Sequence, residues 1–488
     1  MIVLVSTLVL ACTWGTSTAV GRGVRRRALA ALAVTPLGAL LFVGLLTAWP
    51  AWRDYVPRAW EVATGYTTMM ALGASRKSLG WLAAAALGSA VVAGFAARRA
   101  RAAWARDSGA GRPTLALLAA ACFTMTWVRY GLTRSEDGHI VGALSPTIFL
   151  AGCLLPCYLR SQGVQACWPA VALVSWVPLV LFSGASADSA TEHLLAWRGL
   201  EWQRARPEIR SERIREATDV ARSLPGGSLF VWPYETVVNV LADKASPCYV
   251  VQGYVAHTEA LERWTIERLD ASPDVPVMLF TGSEPLDGVE HFTRNSLIVR
   301  HLLEHYETAG SSHEHFLLLR RRLSVEPRWQ EQELPGCAGT FVPGAGEGLR
   351  IDLPTDREEC RASDLVVLTL SAAATPSLGV RKPGQLFVTW TLSNGEERSQ
   401  KLLLPQDGAA HDLLVSACSM EDPFFASFFH PQRCKRTEER VAALQLSWAP
   451  LDSLSARPAE ISLRGARVLR RQGVEFVNAP LPEPKKEQ

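Results

Sequence analysis

Acidic residues are almost absent from the first 187 positions: only Asp54, Glu61, Asp107, Glu136 and Asp137 occur there, and none lies inside an apolar run. That scarcity excludes an ordinary charged surface for this stretch. No basic region precedes the first apolar run, Met1 to Val20, whereas four arginines follow it. A signal peptide has the reverse arrangement, so this run is not read as one. The cysteines beyond the apolar region, Cys248, Cys337, Cys360, Cys418 and Cys434, contain no CxxC pair, which argues against a zinc knuckle or a thioredoxin-type site. Pro225-Gly226-Gly227 precedes the strand-like run Ser228 to Trp232 instead of following it. A dinucleotide fold needs its glycines after that strand, where backbone amides reach a pyrophosphate, so a nucleotide cofactor is excluded.

Apolar residues fill much of the region that lacks acid. Six hydrophobic segments lie near residues 1 to 20, 28 to 50, 79 to 97, 114 to 132, 140 to 158 and 167 to 185. A bilayer-crossing helix takes about 20 apolar residues, so hydropathy predicts a bundle of about six membrane helices over 1–187. Basic residues next to short loops are retained on the cytoplasmic side. Arg22, Arg25, Arg26, Arg27, Arg98, Arg99, Arg101, Arg106, Arg112 and Arg160 mark one side; Arg53, Arg58, Arg76, Lys77, Arg129 and Arg134 mark the other. The larger set is placed inside, which puts everything after Asp188 outside the cytoplasm. Met1 to Val20 then enters with its N-terminus outside, an orientation expected of a helix within a longer protein, so further helices are expected before Met1.

After Asp188 the composition becomes mixed and charged. Residues 188–323 alternate helical and strand-like runs, including Ser228 to Trp232, Val277 to Phe280 and Phe316 to Leu319, which predicts a small α/β domain with a mostly parallel sheet. Residues 336–478 carry short β-rich runs separated by turn residues, with Asn394-Gly395 as a hairpin signal, and predict a sandwich or jelly roll. Residues 479–488 read as a disordered, solvated tail. If the domain lies outside the cytoplasm, Cys337 with Cys360 and Cys418 with Cys434 are candidate bridges.

Three sets of residues could carry chemistry. The loop Arg134-Ser135-Glu136-Asp137-Gly138-His139 offers a cation, two carboxylates and an imidazole between two apolar segments. Arg134 would pair with a lipid phosphate, Glu136 or Asp137 would act as base toward an acceptor hydroxyl, and His139 would support them. An ordinary charged turn accounts for the same composition. His301-Leu302-Leu303-Glu304-His305 matches the H-x-x-E-H pattern of one zinc peptidase class, but no third ligand is identifiable, and core packing competes for the helix. Trp232, Trp390 and Trp448 could stack on sugars, though their strand patterns favour the core. The aromatic loop from Trp52 to Met70 suits the headgroup level or the wall of a lipid-substrate cavity.

The apolar segments, the strand Ser228-Leu229-Phe230-Val231-Trp232-Pro233-Tyr234-Glu235, the closing pieces His305-Tyr306 and Leu317 to Arg321, and the Arg134 to His139 loop together resemble the C-terminal half of bacterial GT-C glycosyltransferases, polytopic enzymes similar to protein mannosyltransferases. The likeness covers about residues 28 to 323. It implies transfer of a sugar from a polyprenyl-phosphate donor to a glycan or protein acceptor on the outer side of a bacterial cytoplasmic membrane. The family places its acidic base in a first outer loop after its first helix, and no acid here matches that position. The chain is therefore expected to lack an N-terminal catalytic half or to be a degenerate member. The other reading is a non-catalytic, membrane-anchored scaffold that binds glycan or protein. No cofactor is identified, a divalent metal is left open, and no nucleic-acid partner is expected.

Overall fold

The computed structural model describes residues 76–105, short helical pieces and single positions between 26 and 150, and residues 211–481 apart from breaks at 249–252, 257, 310–312, 324–326, 345–347, 354–359, 375–381, 421–422 and 452–454. The chain forms two compact units. One comprises Met1–Val56 and Ala71–Ala205, the other Pro57–Met70 and Arg206–Gln488.

The first unit contains α1 (Arg76–Ala105). Its apolar stretch Leu82–Ala102 has 21 residues and a mean hydropathy of 1.3. At 1.5 Å per residue it is about 31 Å long, close to the hydrocarbon thickness of a bilayer. Among the described residues it is the one helix long and apolar enough to cross a membrane. The expected fold, with a six-helix membrane bundle at its head, is corrected accordingly: a single candidate span stands beside a chain rich in β-sheet. Hydropathy counts apolar residues but takes no account of helix breakers. Proline, which lacks an N–H, falls within the runs 28–50, 140–158 and 167–185 but not within 1–20, 114–132 or Leu82–Ala102. The runs 1–20 and 167–185, and most of 28–50 and 140–158, lie outside the described residues.

The second unit opens with α2 (Glu212–Ser223). Ser211 caps it by accepting from the Ile214 amide, with Glu212 in the first turn and Arg222 in the last to suit the helix dipole. The strands β1 (Phe230–Trp232), β2 (Val277–Phe280), β3 (Tyr306–Thr308) and β4 (Phe316–Arg321) form one sheet in the order β1-β2-β4-β3. Between them run α3 (Val237–Ala242), α4 (Glu259–Asp270), α5 (His291–Arg294) and α6 (Ser296–His305). Every residue of β1 and β2 is buried, because both faces of the sheet are covered. Phe230, Trp232, Val277 and Leu279 enter one core, while Val231, Met278 and Phe280 enter another beneath α2 and α3.

The expectation of a mostly parallel sheet is also corrected. Only β1 and β2 pair in parallel; β2 with β4 and β3 with β4 are antiparallel. Parallel neighbours need a crossover of a dozen or more residues, and the loop 309–315 between β3 and β4 is too short to provide one.

Two antiparallel sheets follow. One has the order β11 (Glu397–Leu402), β10 (Gln385–Leu392), β14 (Val441–Ala449), β7 (Leu349–Asp352). The other has the order β12 (Asp407–Val415), β8 (Leu365–Ala374), β16 (Pro458–Arg471), β5 (Trp329–Glu333), with β6 (Gly339–Phe341) also on β16; β9 (Lys382–Pro383) pairs with β15 (Ser455–Ala456), and β13 (Arg433–Arg436) with β17 (Glu475–Asn478). Asn394-Gly395 turns β10 into β11, with Gly395 at φ 85° and the Glu396 amide donating to Asn394 Oδ1. The sheets face each other over one core: Val388 and Trp390 on β10 and Leu444 and Leu446 on β14 meet Val366, Leu368 and Leu370 on β8 and Val468 on β16. The five-stranded sheet is apolar on its far face as well. Leu365 and Val367 of β8 and Leu414 of β12 join the core that holds Ile298 and Leu302 of α6. A sheet buried on both faces reads as a continuous apolar run, as Leu365 to Leu368 does.

Candidate functional site at the carboxyl ends of β1 and β2

In α/β sheets, ligands gather outside the carboxyl ends of parallel strands, where two loops diverge. Here those loops are Pro233 to Thr236 after β1 and Thr281 to Glu284 after β2. Glu235 projects into the protein between them, its side chain only 2% exposed. One carboxylate oxygen accepts from Arg213 at 3.0 Å and from the Ser283 hydroxyl, and the other from the Tyr234 amide at 3.3 Å. Arg213 reaches in from α2, donates its second Nη to the Gly282 carbonyl at 2.8 Å and lies 5.5 Å above the Phe280 ring. Its side chain is 27% exposed, so it forms the outer wall of the cluster. Burial pushes the Glu235 carboxyl upward, and the Ser283 hydrogen bond and the Arg213 charge oppose that push. Burial, then the neighbouring Glu235, raises the Tyr234 phenol.

His291 backs this cluster. Its ring lies 5.2 Å from the Tyr234 ring and 6.1 Å from the Trp232 indole. Nε2 lies 2.9 Å from the Glu284 carbonyl, so it carries the proton and donates, leaving Nδ1 bare and without a partner among the described residues. Burial pushes the imidazole down to about 4. Gly253 closes the far side: a Cβ there would stand 2.4 Å from Trp232 Cδ1, so only glycine lets that turn approach the indole. The arrangement amounts to a carboxylate locked by a guanidinium and a hydroxyl. A phenol stands beside it, and a partly exposed cation is held rigidly enough to meet an anionic group.

Arg134, Glu136, Asp137 and His139 lie outside the described residues. Of the loop from Trp52 to Met70, Arg58 stacks 5.0 Å from the Trp264 ring and Val62 packs on the core, while Trp52, Tyr55, Trp60 and Tyr66 lie outside the described residues. The H-x-x-E-H helix does not gather a metal site. His301 Nε2 stands 3.4 Å from Asp270, which also holds Arg321 at 2.7 Å, and Glu304 turns away to accept the Arg328 amide at 3.0 Å. Burial pushes the His301 imidazole down. Among the described residues no group of three or more His, Cys, Asp or Glu is placed to hold a metal ion. Trp232 and Trp390 are 0% and 1% exposed, which leaves neither ring a face for a sugar. Cys337, Cys360, Cys418 and Cys434 are buried, Cys337 and Cys360 serving as small apolar residues of the sandwich core.

Arg213, Ser283 and His291 escape a reading of the chain by motif, because they come from three separate segments. The available signal is positional: Pro233-Tyr234-Glu235 and Thr281-Gly282-Ser283-Glu284 are the polar residues immediately after the two most apolar strands. No protein-family model, no curated protein and no solved structure matches this chain.

Proposed function

We propose that this chain is a membrane-anchored, GT-C-like glycosyltransferase of the bacterial cell envelope, acting on a polyprenyl-phosphate sugar donor and a glycan or protein acceptor, with its α/β sheet and sandwich outside the cytoplasm. The observation that carries the reading is the Glu235–Arg213–Ser283 cluster. It closes the same Ser228 to Glu235 segment that resembles the family, and it lies where α/β sheets receive ligands. Arg213, fixed by two partners and partly exposed, is suited to pair with a phosphate or carboxylate. In the transfer, Glu136 or Asp137 takes the proton from the acceptor hydroxyl, whose oxygen bonds to the anomeric carbon. The bond from that carbon to the donor phosphate breaks, and polyprenyl phosphate leaves with Arg134 and His139 supporting its charge.

The second reading is a non-catalytic scaffold that binds glycan or protein. It is favoured by one observation: both Glu235 oxygens are already taken by donors from the protein itself. Envelope glycan from cells carrying Arg134→Ala, Glu136→Gln or Asp137→Asn separates the two. The transferase reading expects Arg134→Ala to lose the modification at normal protein abundance, and one of the carboxylate variants with it. Unchanged glycan in all three would contradict it and leave the scaffold.

A further inference from the structure

A cleft of about 290 Å³ lies between α4, the α5–α6 corner and β12. Six charged or titratable groups line it: Glu259, Glu262, Arg263, Arg294, His411 and Asp412. Leu297, Leu403, Pro405 and Leu413 supply apolar surface between them. We propose that this cleft binds an uncharged carbohydrate.

The argument is one of compensation. Each charged group on the wall already has its counterpart within the protein. Arg263 Nε bonds Glu259 at 2.9 Å. Arg294 donates to the Leu286 carbonyl at 2.7 Å and stands 3.9 Å from Asp287. His411 holds Asp407 at 2.9 Å, and Asp412 takes Arg467 at 2.6 Å and Arg300 at 3.3 Å. Glu262 accepts the Leu297 and Ile298 amides at the start of α6, at 2.9 and 3.1 Å. Burial holds its carboxyl up at about 8, so it stands as a neutral acid. A charged ligand would enter a polar cavity with no unmatched charge to meet it, and would lose its hydration without return. A ligand of hydroxyl groups and C–H faces finds hydrogen-bonding edges set among apolar patches, in a volume at the small end of ligand pockets. The walls come from both the α/β layer and the sandwich, so occupation would tie the two layers together.

The proposal rests on the glycan reading only for its choice of ligand class. Its test is binding, which is measured apart from transfer. The full chain in detergent is titrated calorimetrically with neutral gluco-, manno- and N-acetylglucosamine oligosaccharides and with the matching uronic acids. Ala410, exposed at the cleft mouth on β12, gives the variants: Ala410→Trp fills the opening and Ala410→Ser leaves it open. Expected is saturable binding of at least one neutral oligosaccharide, at least tenfold weaker in Ala410→Trp and unchanged in Ala410→Ser, with its uronic acid binding less well. Tighter binding of the uronic acid, neutral binding unaffected by Ala410→Trp, or no neutral binding at all would overturn it. Binding without sugar transfer would leave this site standing while removing the transferase reading.

Discussion

Replacing Glu262 by Gln isolates the energetic signature of a buried acid. The carboxyl sits at the start of α6, accepts two backbone amides and is held up at about 8 by burial. An unfolded glutamate releases its proton near 4.3, so the native state binds an extra proton between about 4.3 and about 8. The contribution of this group to stability is complete below the unfolded value and declines as pH rises toward the native one. The slope approaches 1.36 kcal/mol per pH unit, which amounts to about 3 kcal/mol between about pH 5 and about pH 7.5. Gln keeps a carbonyl oxygen for Leu297 and Ile298 and cannot ionise, so it removes this slope and leaves the other titrating groups in place. Urea unfolding of both proteins, followed by the buried Trp232 and Trp390, gives the difference at each pH. The Gln variant should gain on wild type by about 3 kcal/mol over that range. Glu262→Ala, which leaves two amides unpartnered, should be less stable than Gln at every pH, by about 1–3 kcal/mol for each amide. Parallel wild-type and Gln curves, or wild type gaining as pH rises, would refute the reasoning.

Other consequences follow from single residues. Because burial holds His291 at about 4, below the ordinary imidazole value, its contribution to stability is complete above about 6.5 and is lost as pH falls through about 4. Nitrogen-15 spectra should accordingly show a neutral ring protonated at Nε2 at about pH 6, and an imidazolium there would contradict this. Arg213→Ala strips Glu235 of its guanidinium and should cost on the order of 1–3 kcal/mol in urea unfolding, with part of the loss restored by adding Glu235→Gln. Gly348, at φ 85°, would place a Cβ 2.1 Å from the Leu446 carbonyl oxygen, so Gly348→Ala should displace β7 from β14. The cost should be about 1–3 kcal/mol, with faster amide exchange at Leu349 and Ile351; unchanged exchange there would contradict the clash.

What could be read along the chain was local. Phe230 to Trp232 and Val277 to Phe280 announce strands because each is a short, wholly apolar run bounded by turn residues. Asn394-Gly395 announces its turn because a tight hairpin needs positive φ. What could not be read was pairing across distance. Arg213 meets Gly282 from 69 positions away and Ser283 meets Glu235 from 48, so the cluster has no spacing that a motif could record. Hydropathy failed for a different reason. It counts apolar residues alone, and among the described residues one stretch, Leu82–Ala102, is both helical and long enough to span. The H-x-x-E-H match misled because spacing aligns two imidazoles on one face without deciding what they meet, and here His301 meets Asp270 while Glu304 caps Arg328.

The most direct test of the central claim is sugar transfer by the full chain in native membranes supplied with a radiolabelled polyprenyl-phosphate sugar. The account predicts label moving to an envelope glycan or protein acceptor, abolished by Arg134→Ala and by one of Glu136→Gln and Asp137→Asn. Label that stays on the lipid, or that transfers equally well in all three variants, would contradict it.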